Sequence, residues 1–196
     1  MEKGQRTQEE RDAAVARLET TTELGALSDC DLVIEAIVEE LEPKRALFAE
    51  LETICRADTV LATNTSALSV TEIAAATSSP ERVVGMHFFN PAPLMPLVEV
   101  VRPELSSDEA VEAALAVVER FGKVAVPCHD TPGFVVNRIL IPLLNDCVRV
   151  LDEARVTPES LDAAMTNGAG WPMGACSLVD LVGDDVHVRA SEALYR

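Results

Sequence analysis

Apolar and polar positions alternate along this chain with a period that changes repeatedly. In "TQEERDAAVARL" (Thr7–Leu18) the apolar residues recur among charges at helical spacing, and Thr7 followed by Glu10 has the spacing of a capping box. "TTTEL" (Thr20–Leu24) and "DLVIEAI" (Asp31–Ile37) read as short extended runs, the second apolar enough for burial on both faces. "EPKRALFAELETIC" returns to helical spacing through Leu47, Phe48, Leu51 and Ile54. A strand at "TVLAT", a short helix at "SVTEIAAAT", strands at "RVVGMHFF" and "PLVEVV", a helix at "DEAVEAALAVVERFG" and a last extended run at "KVAVPC" follow. Strands alternating with helices of this length predict a parallel α/β sheet.

Past "KVAVPC" only helical patterns remain: "GFVVNRILIPLLNDCVRVLDEA", "TPESLDAAMTNG" and "SLVDLVGDDVHVRASEAL". The turn "CHDTPG" (Cys128–Gly133) is therefore the expected joint between an α/β part, residues 1–127, and an all-helical part, residues 128–196.

Composition narrows what such a fold can do. The chain has 196 residues, 48% apolar and 25% charged, which suits a folded globular protein. Its apolar runs are shorter than the roughly 20 residues of a membrane-spanning helix, and "MEKGQRTQEER" is too polar for a secretory signal. The five cysteines (Cys30, Cys55, Cys128, Cys147, Cys176) are odd in number, scattered and without a C-x-x-C pair. That usage predicts reduced thiols in the cytoplasm, with neither a disulfide framework nor a metal cage. A formal net charge of -17 argues against a nucleic-acid partner, although an anionic cofactor can still bind locally at helix N-termini.

In open parallel sheets, ligands gather at the carboxyl ends of the strands. Three polar features are expected there: "ATNTSA", "MHFFNP" and "TPGFVVNR". His87 then lies at the mouth of the sheet, and Glu99 on the next strand can accept a hydrogen bond from one imidazole nitrogen, leaving the other free for proton transfer. Ser66 and Asn137 can direct a hydroxyl and an amide at a substrate oxygen. Singly, each has a structural explanation: a packed histidine, an outward-facing charge, a helix cap.

In order and spacing, "DLVIEAIVEE", "LATNTSALSVTEIA", "RVVGMHFFNPAPLMPLVEVV", "DTPGFVVNRILIPLLNDCVRVLDE" and "LDAAMTNGAGWPMGACSLVDLVG" resemble consecutive blocks of the NAD-dependent 3-hydroxyacyl-CoA dehydrogenase family, over nearly the whole chain. The resemblance implies the C-terminal part of a Rossmann-type doubly wound α/β sheet followed by an all-helical domain that forms a homodimer. It also implies NAD as cofactor and interconversion of a (3S)-3-hydroxyacyl-CoA with the 3-ketoacyl-CoA. The family's catalytic histidine falls on His87, its carboxylate on Glu99, its serine on Ser66 and its second-domain asparagine on Asn137; its cofactor contacts fall on Glu39, Lys44, Ser66 and Asn90.

Two departures accompany the match. Ala67 stands where many members have a second serine. The sequence also contains no G-x-G-x-x-G, the turn that lets backbone amides approach a pyrophosphate. The expectation is therefore a chain lacking the first βαβ unit, with an incomplete helical domain, an exposed strand at "DLVIEAI" and weak NADH binding. A non-catalytic binding or dimerisation module is the alternative reading, and a dehydrogenase of free hydroxyacids a third.

Overall fold

The computed structural model describes residues 7–195. Five strands form one sheet in the order β1-β2-β3-β4-β5: Leu32–Glu35, Val60–Thr63, Val83–Phe88, Leu97–Arg102 and Val124–His129. Around it lie α1 (Gln8–Val15), α2 (Leu41–Ile54), α3 (Val70–Ala74) and α4 (Asp108–Arg120). A helical region follows: α5 (Val136–Glu153), α6 (Pro158–Gly168), α7 (Ala175–Val182) and α8 (Asp184–Leu194), the last two divided at Gly183.

Period-two alternation assigns each side chain to a face. Leu61, Val83 and Val101 pack with Phe48 and Leu51 of α2 and Val70 and Ile73 of α3. Ala62, Val84, Met86, Val98 and Val100 pack on the other face against Ala110, Val111, Ala114 and Val118 of α4. Gly85 permits the first arrangement, because a Cβ there would stand 2.7 Å from Val101 Cβ and 3.0 Å from Val70 Cγ2. The capping box of α1 forms as its spacing predicts: Glu10 N donates to Thr7 Oγ1 (3.2 Å) and Thr7 N to Glu10 Oε2 (2.8 Å).

The fold corrects two expectations. "TTTEL" is not a strand: its threonines are exposed, and Leu24–Leu27 forms a 3₁₀ turn. Thr21 Oγ1 accepts from Glu23 N at 3.0 Å, a local bond that replaces a ladder bond, and only Leu24 offers an apolar side chain to bury. The sheet is also mixed. β1, β2 and β3 are mutually parallel, β3 and β4 antiparallel, and β4 and β5 parallel. The eight residues between Phe88 and Leu97 are too few for the dozen or more that a parallel crossover needs. Because β4 and β5 run against β1–β3, the carboxyl end of β5 lies level with the amino half of β3, and the segment after it must return along β4.

Candidate functional site

His87 and Glu99 are direct cross-strand partners in the β3–β4 register, on the face covered by α2 and α3. His87 Nδ1 lies 2.7 Å from Glu99 Oε2, with His87 4% and Glu99 0% exposed. A carboxylate only accepts, so Nδ1 carries the proton and Nε2 of the neutral ring is left as an acceptor. Among the described residues Nε2 has no hydrogen-bond partner. The rings of Phe89 and Phe134 lie 4.6 and 5.5 Å from the imidazole, centroid to centroid, and both are tilted against it.

The other oxygen of Glu99 reaches the helical region. Oε1 accepts from Val135 N at 3.0 Å and Val136 N at 2.9 Å, where α5 begins. Burial pushes the Glu99 carboxyl up, but the His87 hydrogen bond, the two amides and the imidazole charge outweigh it and hold the carboxyl below its ordinary value. Glu99 is therefore an anion whose two oxygens serve different structural units.

A second polar centre lies at the carboxyl ends of β1 and β2. Glu39 Oε1 accepts from Thr65 Oγ1 (2.6 Å), Ser66 N (2.7 Å) and Ala67 N (3.2 Å), which shapes the loop carrying Ser66. Behind it, Lys44 Nζ lies 3.4 Å from Glu39 Oε2 and 2.7 Å from Glu35 Oε1. Glu35 also accepts from Ile37 N (2.6 Å) and Thr63 Oγ1 (2.7 Å). Lys44 is 0% exposed, so it backs Glu39 and presents no ammonium to solvent. Sequence reasoning named Glu39 and Lys44 but missed Glu35, whose signal was a single carboxylate inside the apolar run "LVIE" nine residues before a lysine.

A cleft of about 730 Å³ opens above this loop, between Val38, Glu39, Ser66 and Leu68 on one side and Val186 and Arg189 of α8 on the other. The Ser66 hydroxyl has no hydrogen-bond partner among the described residues. His87, Lys44, Asn90 and Asn137 are not among the cleft's walls. Asn90 is exposed just beyond β3, and Asn137 is half-buried in the first turn of α5 with its side-chain amide unbonded among the described residues. The fold thus joins His87 to Glu99 and Ser66 to Glu39 by direct contact, and among the described residues neither asparagine side chain makes such a bond. Asp130, which sequence reasoning passed over, ties the segment after β5 to the Ser66 side. Its Oδ2 accepts from Ser69 Oγ (2.9 Å) and Thr71 N (2.7 Å) at the start of α3. Among the described residues no group of three His, Cys, Asp or Glu side chains is placed to hold a metal ion.

Comparison with known proteins gives this geometry a lineage. The model of the "3-hydroxyacyl-CoA dehydrogenase, NAD binding domain" matches residues 1–131, and that of the "3-hydroxyacyl-CoA dehydrogenase, C-terminal domain" matches residues 133–196. The 3-hydroxyadipyl-CoA dehydrogenase of Escherichia coli K12 is 48% identical over 94% of this chain and 39% of its own length. The 3-hydroxybutyryl-CoA dehydrogenase of Clostridioides difficile is 44% identical over 92% of this chain and 64% of its own. The chain therefore spans less than two thirds of these two relatives. The crystal structure of (S)-3-hydroxybutyryl-CoA dehydrogenase from Ralstonia eutropha superposes with a TM-score of 0.94 at 38% identity, over 96% of this chain and 67% of that one. With a family model accounting for each of its two parts, the chain belongs to the 3-hydroxyacyl-CoA dehydrogenase family.

Proposed function

We propose that this protein interconverts a (3S)-3-hydroxyacyl-CoA and the 3-ketoacyl-CoA, with NAD as cofactor. The observation that carries this reading is the buried His87–Glu99 pair, whose 2.7 Å bond leaves imidazole Nε2 without a partner. In oxidation His87 Nε2 takes the proton of the 3-hydroxyl, and Glu99 stabilises the imidazolium that results; in reduction the same nitrogen returns the proton. The free Ser66 hydroxyl and Asn137 amide are the groups for the substrate oxygen. NAD, when bound, supplies the acceptor for the C3 hydride. The residues present fit one end of such a dinucleotide: the cleft lies at the carboxyl ends of two parallel strands, with Glu39 and Ser66 in its wall. Lys44 supports that wall through Glu39, and Asn90, exposed just beyond the strand that carries His87, is the remaining proposed cofactor contact.

The helical region that begins with α5 at Val136, past the end of β5 at His129, supplies Asn137 and the surface for a second copy. On α5, Ile139 (66% exposed), Leu143 and Val150 present apolar side chains to solvent, which supports a homodimer; the net charge of -17 speaks against a nucleic-acid partner. Among the described residues no helix is long and apolar enough to cross a membrane. Five free thiols fit the reducing cytoplasm.

The direct test is oxidation of NADH in the presence of acetoacetyl-CoA. Turnover that depends on both supports the reading, and NADH consumption indifferent to the thioester defeats it. If Glu99 stabilises the imidazolium, Glu99→Gln moves the acidic limb of the oxidation pH profile to lower pH, because the neutral base then persists further into acid. A reduced rate with an unmoved limb would leave Glu99 as a purely orienting group.

A further inference from the structure

The start of α5 poses a problem that Glu99 solves. The helix has no side-chain cap of its own and no acidic residue in its first turn, whereas α1, α3, α4 and α6 are capped by their own Thr7, Ser69, Ser107 and Thr157. Unpaired amides at a helix start need acceptors. Here the acceptor is Glu99, 36 and 37 residues away in sequence, which already serves His87.

The chain reaches that geometry through two successive left-handed residues. Gly133 has φ +75°, and a Cβ there would meet Arg138 N at 2.8 Å. Phe134 has φ +50°, uncommon for a residue with a side chain. It is held there by burial at 4% exposure among Phe48, Val70 and Val101, and by its amide donating to Thr131 O at 2.8 Å. The next two amides are those that Glu99 accepts.

We propose that Phe134 is a positioning residue for the His87–Glu99 pair: its left-handed backbone aims the Val135 and Val136 amides at Glu99 Oε1, so that the helical region sets how strongly Glu99 draws on His87. This goes beyond the assignment of the pair itself, and only its kinetic arm rests on the proposed dehydrogenase activity. Two amide donors at a helix start share the negative charge of Glu99. Removing them returns that charge to the imidazolium and favours it. The titratable groups facing Glu99 are His87 from β3 and the Cys128 thiol from β5. Burial first, then the Glu99 and Asp130 charges, push that thiol up to about 11, so it stays neutral through the working pH range.

Two variants at this position separate turn from ring. Phe134→Gly removes the ring and tolerates φ near +50° without penalty, whereas Phe134→Val removes the ring and resists that conformation. The acidic limb of the oxidation pH profile is expected to stay with the parent in Phe134→Gly. In Phe134→Val it should move to higher pH, opposite in direction to Glu99→Gln. An unmoved limb in folded Phe134→Val, or equal displacement in both variants, overturns the proposal. Amide hydrogen exchange supplies an arm independent of activity and of whether the valine variant folds. Val135 and Val136 should exchange slowly in the parent and in Phe134→Gly, and at least about tenfold faster in Glu99→Ala, as expected when a hydrogen-bond partner is lost. Fast exchange in the parent, or no change in Glu99→Ala, overturns it. A parent that shows slow exchange but no acetoacetyl-CoA turnover defeats the functional reading and leaves the positioning role standing.

Discussion

His87→Gln is expected to lower turnover by roughly 10²–10⁴-fold, the range a general acid–base group supplies, while cofactor affinity changes far less. A glutamine amide can still donate to Glu99 Oε2, so the β3–β4 pairing and the buried carboxylate keep a partner. What the amide lacks is a nitrogen that can carry a proton to and from the substrate. The effect should therefore appear in kcat, measured as acetoacetyl-CoA-dependent NADH oxidation, and adding Glu99→Gln should cost little more, because the two residues act as one unit. Activity within about threefold of the parent would remove His87 from the chemistry.

Lys44→Met should produce the largest loss of stability. The Lys44–Glu35 pair is buried on both sides, with side chains 1% and 0% exposed, and their oxygen and nitrogen are 2.7 Å apart. Removing one partner of such a pair leaves a buried charge without compensation and costs about 3–5 kcal/mol. For a chain of this size that corresponds to a fall in Tm of roughly 6–20 °C. The more exposed contact to Glu39 adds little. Glu35→Gln combined with Lys44→Met should recover part of the loss, since no unpaired charge then remains. Denaturant unfolding of the single and double variants checks this: a Lys44→Met protein within about 0.5 kcal/mol of the parent would mean the carboxylate finds another partner.

The His87–Glu99 pair was legible because both residues interrupt apolar strand runs, where a buried polar side chain must find a partner. That they share one face and one register was not, because register depends on the geometry of residues 89–96, and the alternating pattern leaves strand direction open. The same gap hid the antiparallel step in the sheet. Threonine-rich "TTTEL" read as extended on propensity alone, with too little apolar surface to hold it in a sheet. Glu35 escaped notice because a lone carboxylate at the end of a short apolar run also fits an outward-facing strand charge, and its counter-charge, Lys44, lies nine residues on in a different element. The Val135 and Val136 amides carried no signal, since a backbone donor is the same in every residue but proline. Their destination depends on the left-handed turn at Gly133 and Phe134, which only the fold displays.

The enclosure of Lys44 also bears on chemical ageing. Thioesters acylate amines they can reach, and this sequence has thirteen arginines but only three lysines, Lys3, Lys44 and Lys123. Lys44 is sealed beneath Glu39, and Lys123 Nζ is pinned by bonds of 2.7 Å to the carbonyls of Ala92 and Met95. For an enzyme with the proposed substrate, the cation behind the cleft wall is thus held out of reach of its own reactive acyl donors, and the one beside the loop after β3 has its ammonium engaged by two carbonyls.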